Sequence, residues 1–217
     1  MIHLGDSVFK YGKLLVWGVY LYFCYLLFLI TIQYIPYNTD VAFLRIKQDA
    51  ISNTHYEVAF FTHVYSSIFL MLFGALQFSD FLRRKYVKLH RFSGKFYFYI
   101  LLFISAPSGL IMAFYANGGF LVQISFIVLS ILWMLFTFFS FFFIIKGNVK
   151  KHQKFAIRSF ALTLSAISLR LFKYLMVIFF EPFPMDAYRI AAWSGWIFNL
   201  IIAEIIIFIK FKKVNRA

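Results

Sequence analysis

Six stretches of mostly apolar residues, each long enough to cross a bilayer, leave this chain few ways to fold. A spanning helix needs roughly 20 such residues, and runs of that kind cover 14–35, 58–78, 96–115, 120–145, 156–180 and 190–209. Composition agrees: 63% of the 217 residues are hydrophobic and 14% are charged, against about 45–50% and 25% in soluble domains. A soluble chain of this size leaves about a quarter to a third of its surface in water, so the excess apolar surface needs lipid. The expectation is one all-α membrane domain, an antiparallel bundle of six transmembrane helices. Short connections such as "ANGG" and "EPFPMDAYR" make consecutive helices neighbours. Pro107 interrupts the third run and should kink it, freeing a carbonyl one turn earlier.

The formal charge of +14 does not form the continuous patch that nucleic acid requires. It falls between the apolar runs. Of the Lys and Arg residues, 17 lie on one side, including the stretch "RRKYVKLHR", and 3 (Arg45, Lys47, Arg189) lie on the other. Basic loops stay on the cytoplasmic side, which puts both termini there and the protein in the inner membrane. Residues 14–35 are too long for a secretory h-region and lack a small-x-small cleavage site, so they read as a retained first helix. Cys24 stands alone in the sequence, which excludes an internal disulfide and a cysteine metal site. The long loop at 36–57 faces outward, and "DAISNTHYE" within it is a candidate short interfacial helix.

The fifth run should not welcome charge, yet it carries His152, Arg158, Arg170 and Lys173. His152, Ala156, Ser159, Thr163, Ala166, Arg170 and Lys173 follow one another at intervals of four and three, which keeps them on one helical face. Such a stripe of small and polar residues suits a helix–helix seam. His63, Ser67, Gly74 and Gln77 repeat the pattern in the second run, and Trp196, Asn199, Ala203 and Glu204 in the sixth. A carboxylate or guanidinium in a span costs about 2.5–3.5 kcal/mol on insertion scales, so partners are expected. Depth-matching pairs Glu204 with Arg158. It brings Arg170 and Lys173 within reach of Asn199, Glu181 or Asp186. The expected intramembrane polar cluster is His63, Gln77, Ser159, Arg170, Asn199 and Glu204.

His3 and His55 lie in solvated segments, whereas His63, His90 and His152 stand at the starts of runs two, three and five. Imidazole is both a metal ligand and an acid–base group near neutral pH. Two such rings from different helices at equal depth can hold haem iron axially. A surface histidine between lysines and arginines, as in "KLHR" and "KKHQK", is more often an interfacial residue that bonds phosphate headgroups or backbone. Phosphate-cradling loops, Gly-x-Ser-x-Gly and His-Glu-x-x-His are absent from the sequence, which removes the soluble enzyme classes they mark.

The stretch "THVYSSIFLMLFGALQFSDFLRRKYVKLHRFSGKFYFY", followed by "KKHQKFAIRSFALTLSAISLRL" and "DAYRIAAWSGWIFNLIIAE", resembles a bacterial integral-membrane family catalogued as domain of unknown function 2306. The resemblance carries over to His63, Gly74, Gln77, His90, Arg91, Gly94, His152, Arg158, Ser159, Arg170, Trp196, Asn199 and Glu204 and implies no particular reaction. "LHRFSG" is also similar to a helix entry of b561-type haem bundles. That likeness implies haem b between His90 and His152, compensated by Arg91 and Arg158, but no second pair, since the outer half of run four offers only Gln123.

Three readings follow. One is a b-type haem electron carrier serving an electron-transfer partner or quinone in the lipid bilayer. Another is a permease for a small anionic solute, lined by Arg170, Arg158 and Glu204 with His63 at its mouth. The third is a non-catalytic membrane scaffold glued by its polar seams.

Overall fold

The computed structural model describes residues 2–212, and every regular element among them is helical. Lys213 and Arg216, part of the basic side, lie outside the described residues, as do the side chains of His3, Lys10 and Lys13. Helix α1 (Ile2–Ile32) leads to a loop holding a 3-10 turn (Ala42–Ile46) and the short α2 (Gln48–Ile51). Then come α3 (Thr54–Leu76), α4 (Asp80–Lys85), α5 (Val87–Ile100), a π-helical turn (Leu101–Ser105) and α6 (Ala106–Phe114). The chain continues with α7 (Phe120–Ile145), α8 (Val149–Thr163), α9 (Ser165–Phe180) and α10 (Pro184–Lys212).

Five helices are long and apolar enough to cross a membrane, and α8 with α9, bent by 42° at their junction, counts as a sixth crossing when the pair is taken as one span. The all-helical membrane architecture expected from the sequence is therefore present, with the sixth crossing resting on the bent α8–α9 pair. Three of the expected starts move by six or more residues, that of the sixth run to Pro184. The third crossing begins at Val87 and the fifth at Val149, so His90, Arg91 and His152 stand inside helices rather than ahead of them. Apolar counting misses those turns because they carry Lys, Arg and Gln, which are nonetheless good helix formers. Asn148 caps α8 by accepting from the Lys151 amide at 2.9 Å, the usual signal for a helix start.

The Pro107 kink takes a specific form. The Ala106 amide bonds the Leu101 carbonyl, five residues back, so the helix absorbs the proline in one π turn. In the fifth crossing the break at Leu164 is splinted from outside. Asn199 Nδ2 donates to the Ala161 carbonyl at 3.1 Å, while its Oδ1 accepts from Ser168 Oγ at 2.8 Å. One amide thus holds both sides of the bend, consistent with the rule that backbone freed inside a membrane finds a local partner.

The central core gathers Leu70, Tyr97, Leu101, Trp133, Leu162 and Trp196. Glycine permits a close crossing: a Cβ on Gly195 would lie 3.1 Å from the Leu169 backbone, so α10 and α9 pack main chain against main chain. By contrast α1 is peripheral, with 6% of its best apolar window buried and Tyr20 reaching the Met71 carbonyl at 2.6 Å. At one end the loop between α1 and α3 folds into a cap, in which Tyr34, Leu44, Ile51, Tyr56, Phe60 and Phe61 form their own cluster. The opposite end carries α4 and the 146–154 turn, rich in Lys and Arg. These are the capped end and the basic end.

Candidate functional site

At the basic end, the turn between α7 and α8 dictates what His152 can touch. Gly147 takes φ +71°, the left-handed region that glycine enters without penalty. The Asn148 amide then bonds the Phe143 carbonyl at 2.8 Å and the Gly147 amide bonds Ile144 at 3.0 Å, a Schellman closure. That tight hairpin sets His152 against Ser140. Its Nδ1 donates to the Ser140 carbonyl at 2.8 Å; a carbonyl only accepts, so Nδ1 carries a proton, and in the neutral ring Nε2 keeps the lone pair.

His90 arrives from α5. Gln77 on α3 donates to Ser93 Oγ at 2.7 Å, and a Cβ on Gly94 would strike the Gln77 amide oxygen at 2.8 Å. Gln77 and Gly94 together fix how α5 rotates against α3, and so which way His90 points. The two imidazoles lie within electrostatic range of each other. Among the described residues, His90 Nδ1 is the buried side-chain polar atom without a hydrogen-bond partner. Unpaired buried nitrogens are rare enough to call for an explanation. Arg91, one residue on, is exposed.

Beyond this pair the interior closes. Tyr97 Oη lies 3.0 Å from Ser159 Oγ and 2.7 Å from Thr163 Oγ1. Thr137 Oγ1 is 2.6 Å from Ser159 Oγ, and Trp133 Nε1 donates to Thr163 Oγ1 at 3.0 Å. Ser159 therefore sits in a satisfied network joining three helices. Tyr97, Trp133 and Thr137 were missed by the sequence reading, although Ser130, Trp133, Thr137 and Ser140 share a face at intervals of three and four.

Arg158 and Glu204 pair as depth-matching expects: Nε to Oε1 at 2.5 Å and Nη2 to Oε2 at 2.9 Å. The guanidinium also lies over the Phe155 ring, 5.2 Å from its centre. This bidentate contact uses the guanidinium edge that a haem carboxylate would need.

Toward the capped end, His63 Nδ1 donates to the Ser105 carbonyl at 2.8 Å, and its ring fills the space over Gly109, where a Cβ would come within 2.9 Å. Ser66 and Ser105 hydroxyls meet at 2.5 Å beside it. Arg170 does not meet the partners expected of it. Its Nη1 donates to the Ala166 carbonyl at 2.7 Å, Asn199 is occupied by the splint, and Asp186 pairs with Arg189. The sequence-derived cluster is thus distributed over several places: the imidazole pair with Gln77, the hydroxyl core, the Arg158–Glu204 pair, the Asn199 splint and the capped-end His63 and Arg170.

A family described as "Predicted membrane protein (DUF2306)" matches residues 60–207. The chain belongs to the DUF2306 family. The match covers α3 from Phe60 and nearly all of α10, so the imidazole pair, hydroxyl core, ion pair and splint all fall within the DUF2306 region, while α1 and most of the cap lie outside it. No curated protein and no solved structure matches the chain.

Proposed function

We propose that this DUF2306 protein is a membrane electron carrier whose basic end would hold one b-type haem through His90 and His152. The observation that carries this reading is the state of the two rings. His152 gives its Nδ1 proton to a backbone carbonyl and keeps Nε2 as a free base, the arrangement that orients a ligating histidine. His90, near it, has a buried nitrogen that no protein group satisfies. The donor set, two imidazoles from different helices, suits haem iron.

When bound, the haem would supply one-electron transfer. The chain's own residues do the rest. The Ser140 carbonyl orients His152, and the Gln77–Ser93 contact orients the turn that carries His90. The Tyr97 network closes the bundle above and keeps water from crossing. Arg91 and the surrounding lysines offer positive charge to propionates. Arg158 is committed to Glu204 and has no such role. That same ion pair occupies two groups that a polar transport path would require, which favours the carrier over the permease. A quinone or a protein at the basic face would exchange the electron.

The test is a visible spectrum of the detergent-purified protein with and without dithionite. A Soret band and a reduced-state shift, both lost in His90→Ala and in His152→Ala, are the expected result. A folded, colourless protein expressed with haem supply would overturn the reading and leave the scaffold.

A further inference from the structure

The third crossing is longer than a bilayer requires. Val87–Phe114 has 28 residues, about 42 Å of helix at 1.5 Å per residue, against a hydrocarbon core of about 30 Å. Its far part, residues 109–114, carries no charge, so the surplus of about 12 Å falls in the first two turns. The short α4 stands at the same level, joined to α5 by Tyr86 alone. Phe81 and Tyr86 are both exposed there, as aromatic side chains at a membrane interface are. Their rings meet edge to face at 5.4 Å, and the Lys85 ammonium lies 5.5 and 5.8 Å from their centres. The start of α5 therefore belongs to the headgroup layer.

Within those turns the two faces of α5 differ. Ser93 and Tyr97 follow His90 at intervals of three and four and turn inward, to Gln77 of α3 and Ser159 of α8. Lys88, Phe92, Lys95 and Tyr99, at intervals of four, three and four, are exposed on the opposite side. Tyr99 extends the track deeper: its ring is stacked 6.1 Å from that of Phe103 and lies 6.3 Å from Phe141 of α7. The lysines have no acid to meet. Among the described side chains the acids of this end are Asp80 and Glu204, and Arg83 and Arg158 take them. Neither Lys88 nor Lys95 forms an ion pair among the described residues. The rule that orients membrane proteins counts basic residues near the ends of spans. It does not require lysines to alternate with aromatic rings down the lipid-facing side of a helix.

We infer that this outward face of α5 holds an anionic phospholipid, with its phosphate between Lys88 and Lys95 and an acyl chain along Tyr99 and Phe103. The two lysines stand seven residues apart, about 10 Å along the axis, a gap that two flexible four-carbon stems can close on one phosphate. Ammonium groups suit phosphate oxygens, and a head that carries its own amine would add a cation to two that are already uncompensated. An acidic protein would require the charge alone; the exposed rings between the lysines favour an amphiphile. The face lies behind His90, so the inference does not depend on the haem reading, and Arg91, a quarter turn from His90, is not part of it.

Native mass spectrometry of the delipidated full chain in detergent tests this, with phosphatidylglycerol and phosphatidylcholine of the same acyl chains titrated in parallel. The wild type is expected to bind its first phosphatidylglycerol about tenfold more tightly than phosphatidylcholine. Lys88→Gln combined with Lys95→Gln should bring the two lipids within about threefold of each other. Lys210→Gln combined with Lys212→Gln removes the same charge at the same end from another helix and should leave the preference standing. Equal affinity of the wild type for both lipids overturns the site. An equal fall in the two double variants would reduce the preference to net charge and overturn it as well. Retention of a polyglutamate peptide in place of the lipid, lost with Lys88 and Lys95, would assign the face to an acidic protein and likewise sink the inference.

Discussion

The two halves of the fifth crossing carry one arginine each, and they solve opposite problems. In α8, Arg158 is neutralised by Glu204 from α10 and stacked on Phe155. In α9, beyond the bend, Arg170 has a backbone carbonyl and no carboxylate. Both residues lie on a helix that packs against α10, so their helical neighbour does not make the difference. What differs is what α10 offers at each depth: Glu204 beside α8, but Asn199 at the bend and no acid opposite Arg170. A charge inside a membrane protein is there either to be cancelled by the fold or to be met by something else. The comparison suggests that α8 is built for the first and α9 for the second.

The largest effect should come from uncoupling the cancelled charge. Glu204→Leu leaves Arg158 uncompensated and should cost about 3 kcal/mol, read as a lower thermal midpoint in detergent. Adding Arg158→Met should recover most of that loss, since removing both members of a pair is milder than removing one. Failure of the double variant to recover would mean that the pair does more than cancel. Next in size, Gly195→Val forces side-chain atoms toward the Leu169 backbone and should cost about 1–3 kcal/mol, with α9 becoming more susceptible to proteolysis than α8. Asn199→Leu removes both splint contacts and should cost about 1 kcal/mol; spin labels on α8 and α9 would then report a broader range of bend angles. The smallest effect belongs to Arg170→Met, within about 0.5 kcal/mol of the parent, because no ion pair is lost. A destabilisation there as large as that of Glu204→Leu would erase the distinction between the halves.

The bundle was legible because hydrocarbon demands length and apolarity, and both can be counted. Pairing of Arg158 with Glu204 was also legible, since equal depth on neighbouring helices leaves few alternatives for a carboxylate in a span. The bend at Leu164 was not: no proline or glycine marks it, and its support comes from Asn199, 35 positions downstream. Tyr97 was hidden for a different reason. A tyrosine in an aromatic-rich span looks like packing until the hydroxyls of Ser159 and Thr163 are seen around its Oη. The placement of His90 and His152 was misjudged by the same apolar counting that found the spans, because basic first turns lengthen a helix without adding hydropathy.

The near-contact between Gly195 and the Leu169 backbone bears on how the protein reaches its membrane. A segment holding Arg170 and Lys173, broken midway, is a poor candidate for independent insertion by the translocon. Its mate α10, only a few residues downstream, supplies a groove shaped to it and the amide that closes its break. The last two crossings should therefore partition into lipid as a hairpin, and truncation before α10 should leave the fifth segment stranded outside the bilayer.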